Sequence, residues 1–135
     1  MKKLLIVSSV LAISVGIVMV AGGLWAVLFT YQNIAQEHIV TPGDASIPNT
    51  PVRGPFTLHS QADIIREHVL KMTGGKTYAE MSRDDEKRPQ WVTATTLTTA
   101  LHLGIITYLF SGLIVLFGLI SMWTGAVFWM LSKKY

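Results

Sequence analysis

Two long stretches of this chain carry no formal charge, and they constrain its fold more than any other feature. Leu4 to Gln36 contains no Asp, Glu, Lys or Arg, and neither does Pro89 to Ser132. The blocks run to 33 and 44 residues, and about 20 apolar residues suffice to cross a hydrocarbon core of about 30 Å. The sequence therefore reads as a mainly α-helical integral membrane protein with two transmembrane helices. All charge is confined to Lys2-Lys3, to the segment Glu37 to Arg88, and to Lys133-Lys134.

The first block runs from the lysine pair through Ala21-Gly22-Gly23 into Leu24 to Phe29. A cleaved signal has an apolar region of only about 7–15 residues, so this one is read as an uncleaved anchor over residues 4–31, with 1–3 cytoplasmic. Trp25, Phe29 and Tyr31 fall where an interfacial aromatic belt is expected. In the second block, residues 92–132 are expected to form one long helix. Its thr-rich first part, Thr93 to Leu103, stands outside the bilayer, and residues from about 106 to 130 cross it. The alternative is a hairpin turning at Ser111-Gly112, but no Pro, Asn or charge there would satisfy a turn. Basic flanks tend to stay cytoplasmic. That rule places Lys2-Lys3 and the Lys133-Lys134-Tyr135 end inside, and residues 32–91 outside as an extracytoplasmic segment of a two-pass plasma-membrane protein.

The outer segment reads in two parts. Pro42, Pro48, Pro51 and Pro55 make Glu37 to Pro55 extended and loop-rich, with one or two short strands and a turn at Gly43-Asp44. From Thr57 the pattern turns helical, with Ser60 as the expected cap, Glu67 and Lys71 as an i,i+4 pair, and Gly74-Gly75 as the stop. Ala62, Ile64, Ile65, Val69 and Met72 share its apolar face, on which His68 also falls. Thr77-Tyr78-Ala79-Glu80 has capping-box spacing for a second short helix. Ile64, Ile65, His68, Val69, Gly74, Gly75 and Tyr78 are the candidate packing or contact residues of this cap.

Signs of chemistry are few. A net charge of +3 divided among three segments does not point to nucleic acid. The absence of cysteine removes disulfides and thiolate ligands. His38, His59, His68 and His102 show no spacing that sets two on one helical face. Gly74-Gly75-Lys76-Thr77 ends like a phosphate-binding loop, but it lacks the earlier glycine at Val69 and follows a helix. Asp84-Asp85-Glu86 abuts Arg83, Lys87 and Arg88, a self-neutralising run. No nucleophile stands beside a base, so no enzymatic activity, metal or cofactor is expected.

The strongest pattern is geometric. Gly104, Ser111, Gly118 and Gly125 recur every seven residues along the second span; in the first, Ser8, Ala12 and Gly16 recur every four, and Gly22 precedes Ala26 by four. Small side chains let helices approach closely in lipid, so these residues are candidates for packing the two spans together or for docking onto another protein.

Gly54-Pro55-Phe56-Thr57, Gln61 to Ile65, His68 and above all Thr73-Gly74-Gly75-Lys76-Thr77-Tyr78-Ala79-Glu80-Met81 resemble a family of small actinobacterial two-span membrane proteins. Members often carry the label of aromatic ring-opening dioxygenase, whose iron site cannot be composed from these residues. The Thr-rich stub and His102 depart from the family's usual pattern. The resemblance implies an actinobacterial plasma-membrane protein that acts as a non-catalytic accessory or assembly subunit of a larger complex. The most specific expectation is the cytochrome bcc–aa3 respiratory supercomplex, with membrane lipids and other integral membrane subunits as partners. The alternative function is a module that binds or senses a lipid or envelope ligand, with Ile64, Ile65, His68 and Val69 closing over it.

Overall fold

The computed structural model describes residues 1–134. Tyr135, the last residue of the expected C-terminal anchor, lies outside the described residues. Among the described residues three α-helices and one short 3-10 turn form: α1, Lys2–Gln36; α2, Pro55–Met72; the turn Tyr78–Glu80; and α3, Arg88–Ser132. Helices α1 and α3 are each long and apolar enough to cross a membrane. At 1.5 Å per residue they extend about 52 and 68 Å, well beyond a core of about 30 Å. Helix α3 passes unbroken through Ser111-Gly112. The chain divides into two compact units, residues 1–29 with 107–135, and residues 30–106.

The first unit is a pair of antiparallel helices. Ser9 on α1 lies against Gly125 on α3, Gly16 against Gly118, and Gly23 against Ser111 and Val115. Antiparallel packing leaves Lys2-Lys3 and Lys133-Lys134 at the same end of the pair. The contact residues repeat every seven positions on both helices. That is the period of left-handed packing at a shallow angle, in which a 3.5-residue repeat keeps one seam facing the partner.

The second unit holds the cap. Helix α2 begins at Pro55, five residues before the expected cap at Ser60, because proline at the first helical position loses no hydrogen bond and is already set to helical φ. Gly54 is the N-cap, and Thr57 Oγ1 accepts the N–H groups of Gly54 and Arg53 at 3.1 and 3.0 Å. Ser60 instead is buried within the helix and ties down the preceding loop: its Oγ accepts the Ile47 N–H and the Ser46 hydroxyl, each at 2.9 Å. The same proline rule starts α3 at Arg88-Pro89 rather than near Val92.

The proline-rich segment forms no strand among the described residues. A single antiparallel bridge, Val40 to Pro51, closes it, since four prolines leave too few N–H groups for a ladder. Thr41, almost fully buried, holds the loop shut: its N–H donates to Thr50 O at 3.0 Å, its carbonyl accepts from Asn49 at 3.0 Å, and its hydroxyl accepts the Thr50 N–H at 2.9 Å. At the other end of α2, Gly75 has φ +80 and its N–H returns to Leu70 O at 2.7 Å, a left-handed helix stop. Gly75→Ala is expected to lower the cap's stability by about 1–2 kcal/mol, the cost of a Cβ in that region; chemical denaturation of the variant measures it.

Tyr78–Glu80 closes into a 3-10 turn rather than a longer helix. Glu80 Oε2 accepts both the N–H and the hydroxyl of Thr77, at 2.7 and 2.8 Å. These bonds hold the Glu80 carboxyl below its usual range. Beneath the turn, Val69, Met81, Trp91 and Ala94 form a buried cluster against which Ile65 and Leu70 pack. Trp91 Nε1 donates to Lys76 O at 2.9 Å, and the Arg66 guanidinium lies 5.9 Å from its ring centre.

Candidate functional site

On α3, Ser111, Gly118 and Gly125 are buried and face α1. A Cβ built on Gly118 would stand 2.8 Å from the carbonyl oxygen of Gly16 and 2.8 Å from Val20 Cγ2, and one on Gly125 would stand 2.9 Å from the carbonyl oxygen of Ser9. The two carbonyl oxygens belong to backbone, which cannot move aside as a side-chain tip can. Backbones this close bring Cα–H groups toward carbonyl oxygens, a weak additional attraction. Gly104, the fourth residue of the stripe, lies in the other unit, where its surface receives Leu58 of α2 and Ile34 of α1.

The complementary face of α1 differs from the four-residue series. It consists of Ser9, Gly16 and Gly23, all buried, whereas Ser8 and Ala12 are half-buried and Gly22 is exposed with nothing near its Cβ position. A period of four suits a steeper, right-handed crossing; the seven-residue stripe on α3 selects the seven-residue series on α1. Two serines bond across the seam: Ser9 Oγ donates to Gly125 O at 2.7 Å and Ser121 Oγ to Ala12 O at 2.8 Å. Ser111 instead bonds within its own helix, to Thr107 O at 2.7 Å. Interhelical hydrogen bonds in membranes average about 0.6 kcal/mol, so neither of these serine bonds accounts for the seam by itself, and close packing carries it.

In the cap, Ile64 and Val69 are buried while Ile65 and His68 are partly exposed and Met72 is half-exposed. His68 Nε2 lies 2.7 Å from Asp44 Oδ2, joining α2 to the Gly43-Asp44 turn, with the tautomer set by the ring proton's position. This bond is the chief reason the Asp44 carboxyl titrates below its ordinary 3.8. A carboxylate lowered in the folded state adds stability that is fully present above the ordinary value and is lost as pH falls through the lowered one. Asp44→Asn is therefore expected to flatten the acid limb of the cap's unfolding curve as pH falls past the ordinary 3.8, and thermal unfolding at pH values on either side of it checks this. Gly74 and Gly75 serve the helix stop, and Tyr78 lies under Arg88, whose guanidinium carbon is 4.1 Å from the ring centre.

Among the described residues, no three His, Asp or Glu side chains gather in a group that could hold a metal ion. His59 pairs with Asp63 at 3.2 Å along α2, and His38 and His102 are exposed. Two concave apolar regions flank Ile65 and Leu97. An open groove of about 430 Å³ is lined by Ile65, His68, Val69, Met72, Thr93 and Leu97 among others. The more enclosed cavity, of about 450 Å³, lies among Ile34, Leu58, Gln61, Ile65, Leu97 and Leu101. Gln61 Oε1 is buried with no hydrogen-bond partner, a condition that costs about 1–3 kcal/mol.

No protein-family model, curated protein or solved structure matches the chain.

The cavity was not legible in the sequence. Gln61 stands inside an otherwise helical pattern with no motif around it, and only the fold buries its Oε1.

Proposed function

We propose that this chain is a two-pass plasma-membrane protein with both termini in the cytoplasm and residues 32–91 outside. In this reading it serves as a non-catalytic accessory or assembly subunit of a larger complex. The observation that carries the reading is the closed seam between α1 and α3. The two helices use their small residues on each other, no Asp, Glu, Lys, Arg or His falls within residues 4–31 or 106–130, and the remaining helix faces are exposed apolar side chains such as Leu109, Phe110, Phe117 and Trp123. A pair built this way is a stable anchor rather than an ion or proton pathway, which needs polar groups along its length.

Docking then falls to the outward faces and to the cap, because Ser111, Gly118 and Gly125 are already engaged. On the outward side the stacked pair Trp25 and Phe29, with ring centres 5.3 Å apart, offers a rigid apolar contact. The resemblance to small actinobacterial membrane proteins makes the cytochrome bcc–aa3 supercomplex the most specific partner of this proposal.

Affinity capture of the full chain in mild detergent after gentle crosslinking, read by mass spectrometry, tests it. The expected result is co-purification with the subunits of one large membrane complex. Recovery only as a free monomer overturns the accessory role, and capture of a different complex overturns the respiratory assignment alone.

A further inference from the structure

Antiparallel packing sets Lys2, Lys3, Lys133 and Lys134 at one end of the helix pair, all four exposed. No acidic side chain occurs in residues 1–29 or 107–135, the two segments of that unit. Four cations therefore stand together with no carboxylate side chain in the unit to pair with them. Just inside that end, α1 and α3 leave an open groove of about 450 Å³, lined by Val10, Ile13, Ser14, Ala126, Trp129 and Met130 among others. Ser9 also borders it, but its hydroxyl is donated to the Gly125 carbonyl, so the wall is largely apolar.

The pairing of Ser9 with Gly125 and of Gly16 with Gly118 fixes the register of the two helices. Met130 thus lies level with Leu4, and Ala126 with Ser8. The groove runs from the level of Leu4 to that of Ser14, about 15 Å at 1.5 Å per residue. That is half of a hydrocarbon core of about 30 Å, the depth of one leaflet. Its mouth opens next to Lys3 in height, and Trp129 stands there, where an interfacial indole belongs. Depth and charge together select the occupant. An acyl chain of the leaflet at that end matches the groove in length, and its glycerophosphate head then emerges among the lysines. Basic groups at the surface attract an anionic head, whereas a zwitterionic head brings a cation of its own to the same place.

We propose that this groove seats one acyl chain of an anionic glycerophospholipid, with its phosphate held among Lys2, Lys3, Lys133 and Lys134. The site rests on the two-span reading and is independent of which complex the protein joins.

The test uses the full chain in nanodiscs of mixed phosphatidylcholine and phosphatidylglycerol, with a photoreactive diazirine in the acyl chain of one lipid or the other. Mass spectrometry locates the labelled residues. Phosphatidylglycerol is expected to label Val10, Ile13, Ala126 or Met130 roughly fivefold more than phosphatidylcholine, the ratio that about one lysine at the surface supplies. Both lipids should label Phe117, on an outward face, equally. Raising the salt from about 0.1 to about 1 M shortens the screening length from about 10 to about 3 Å and should bring the groove's ratio close to one without altering the protein. Lys133→Gln with Lys134→Gln should lower the ratio, while Lys2-Lys3 is retained to keep insertion. Ala126→Phe, at an exposed wall position, should fill the groove and abolish the excess at Ile13. Equal labelling of the groove by the two lipids at low salt overturns the proposal. So does an excess that persists at high salt, or one that Ala126→Phe leaves unchanged. An excess at Phe117 as large as that in the groove marks general enrichment of anionic lipid around the helices, and this too overturns the site. Absence of label at Val10, Ile13 and Phe117 alike removes the two-span reading and the proposal with it.

Discussion

Gly118→Leu is expected to separate α1 from α3. The new side chain would begin 2.8 Å from the carbonyl oxygen of Gly16, and no rotamer removes a clash that starts at Cβ. Overpacking typically costs about 1–3 kcal/mol, and the upper end applies where the obstacle is backbone. That exceeds the roughly 0.6 kcal/mol carried by a serine bond across the seam, so Ser9→Ala should be a much milder change. Gly112→Leu is the matched control, because nothing lies within 4 Å of a Cβ at that position. Crosslinking between cysteines placed at Ala12 and Ser121 should fall about tenfold in Gly118→Leu, as about 1.4 kcal/mol or more requires, and remain unchanged in Gly112→Leu. Equal effects of the two leucines would remove the seam from the account.

Trp91→Ala should unfold the cap's core. The ring is 6% exposed and packs with Val69, Met81 and Ala94, and truncating a buried Trp typically costs about 3–5 kcal/mol. The same substitution frees the Lys76 carbonyl from its bond to Nε1 and removes the surface on which Arg66 rests. Trp91→Phe keeps most of the packing and loses the bond, so it should cost about 1 kcal/mol from that source. Limited proteolysis separates the variants: cleavage near Lys76 to Arg88 should accelerate sharply in Trp91→Ala and slightly in Trp91→Phe. Slow cleavage in both would show that Met81 and Val69 hold the turn without the indole.

The two apolar helices were legible in the sequence because charge exclusion is a strong signal that needs no tertiary information. Gly118 and Gly125 were legible for a similar reason, since a seven-residue repeat over three heptads stands out. The face of α1 was harder. Ser8, Ser9, Ala12, Ser14, Gly16, Ala21, Gly22, Gly23 and Ala26 crowd that span, so series of period four and period seven both exist. Only the period of the opposing helix decides between them. Matching the seven-residue repeat of α3 would have selected Ser9, Gly16 and Gly23 from the sequence.

The cap's helix start shows a different lesson. Ser60 has a favourable capping type, yet Pro55 at the first helical position lets the helix begin earlier, with Thr57 Oγ1 accepting the Gly54 and Arg53 N–H groups. The serine then becomes available to the loop. Its bonds to Ser46 and Ile47 span 14 and 13 residues, a separation at which local propensity has no information. The cavity at Gln61 belongs to this class as well, being composed by segments from both ends of the unit.

The claim on which the rest depends is that the small residues of α1 and α3 meet within one chain. With no native cysteine, Ala12→Cys combined with Ser121→Cys provides a clean reporter in native membranes, oxidised at low protein density and then cleaved by protease between residues 37 and 88. The account predicts that the two helix fragments stay joined until reduced, with monomeric chains throughout. Fragments that separate before reduction, or disulfides that appear only between two chains, would contradict it.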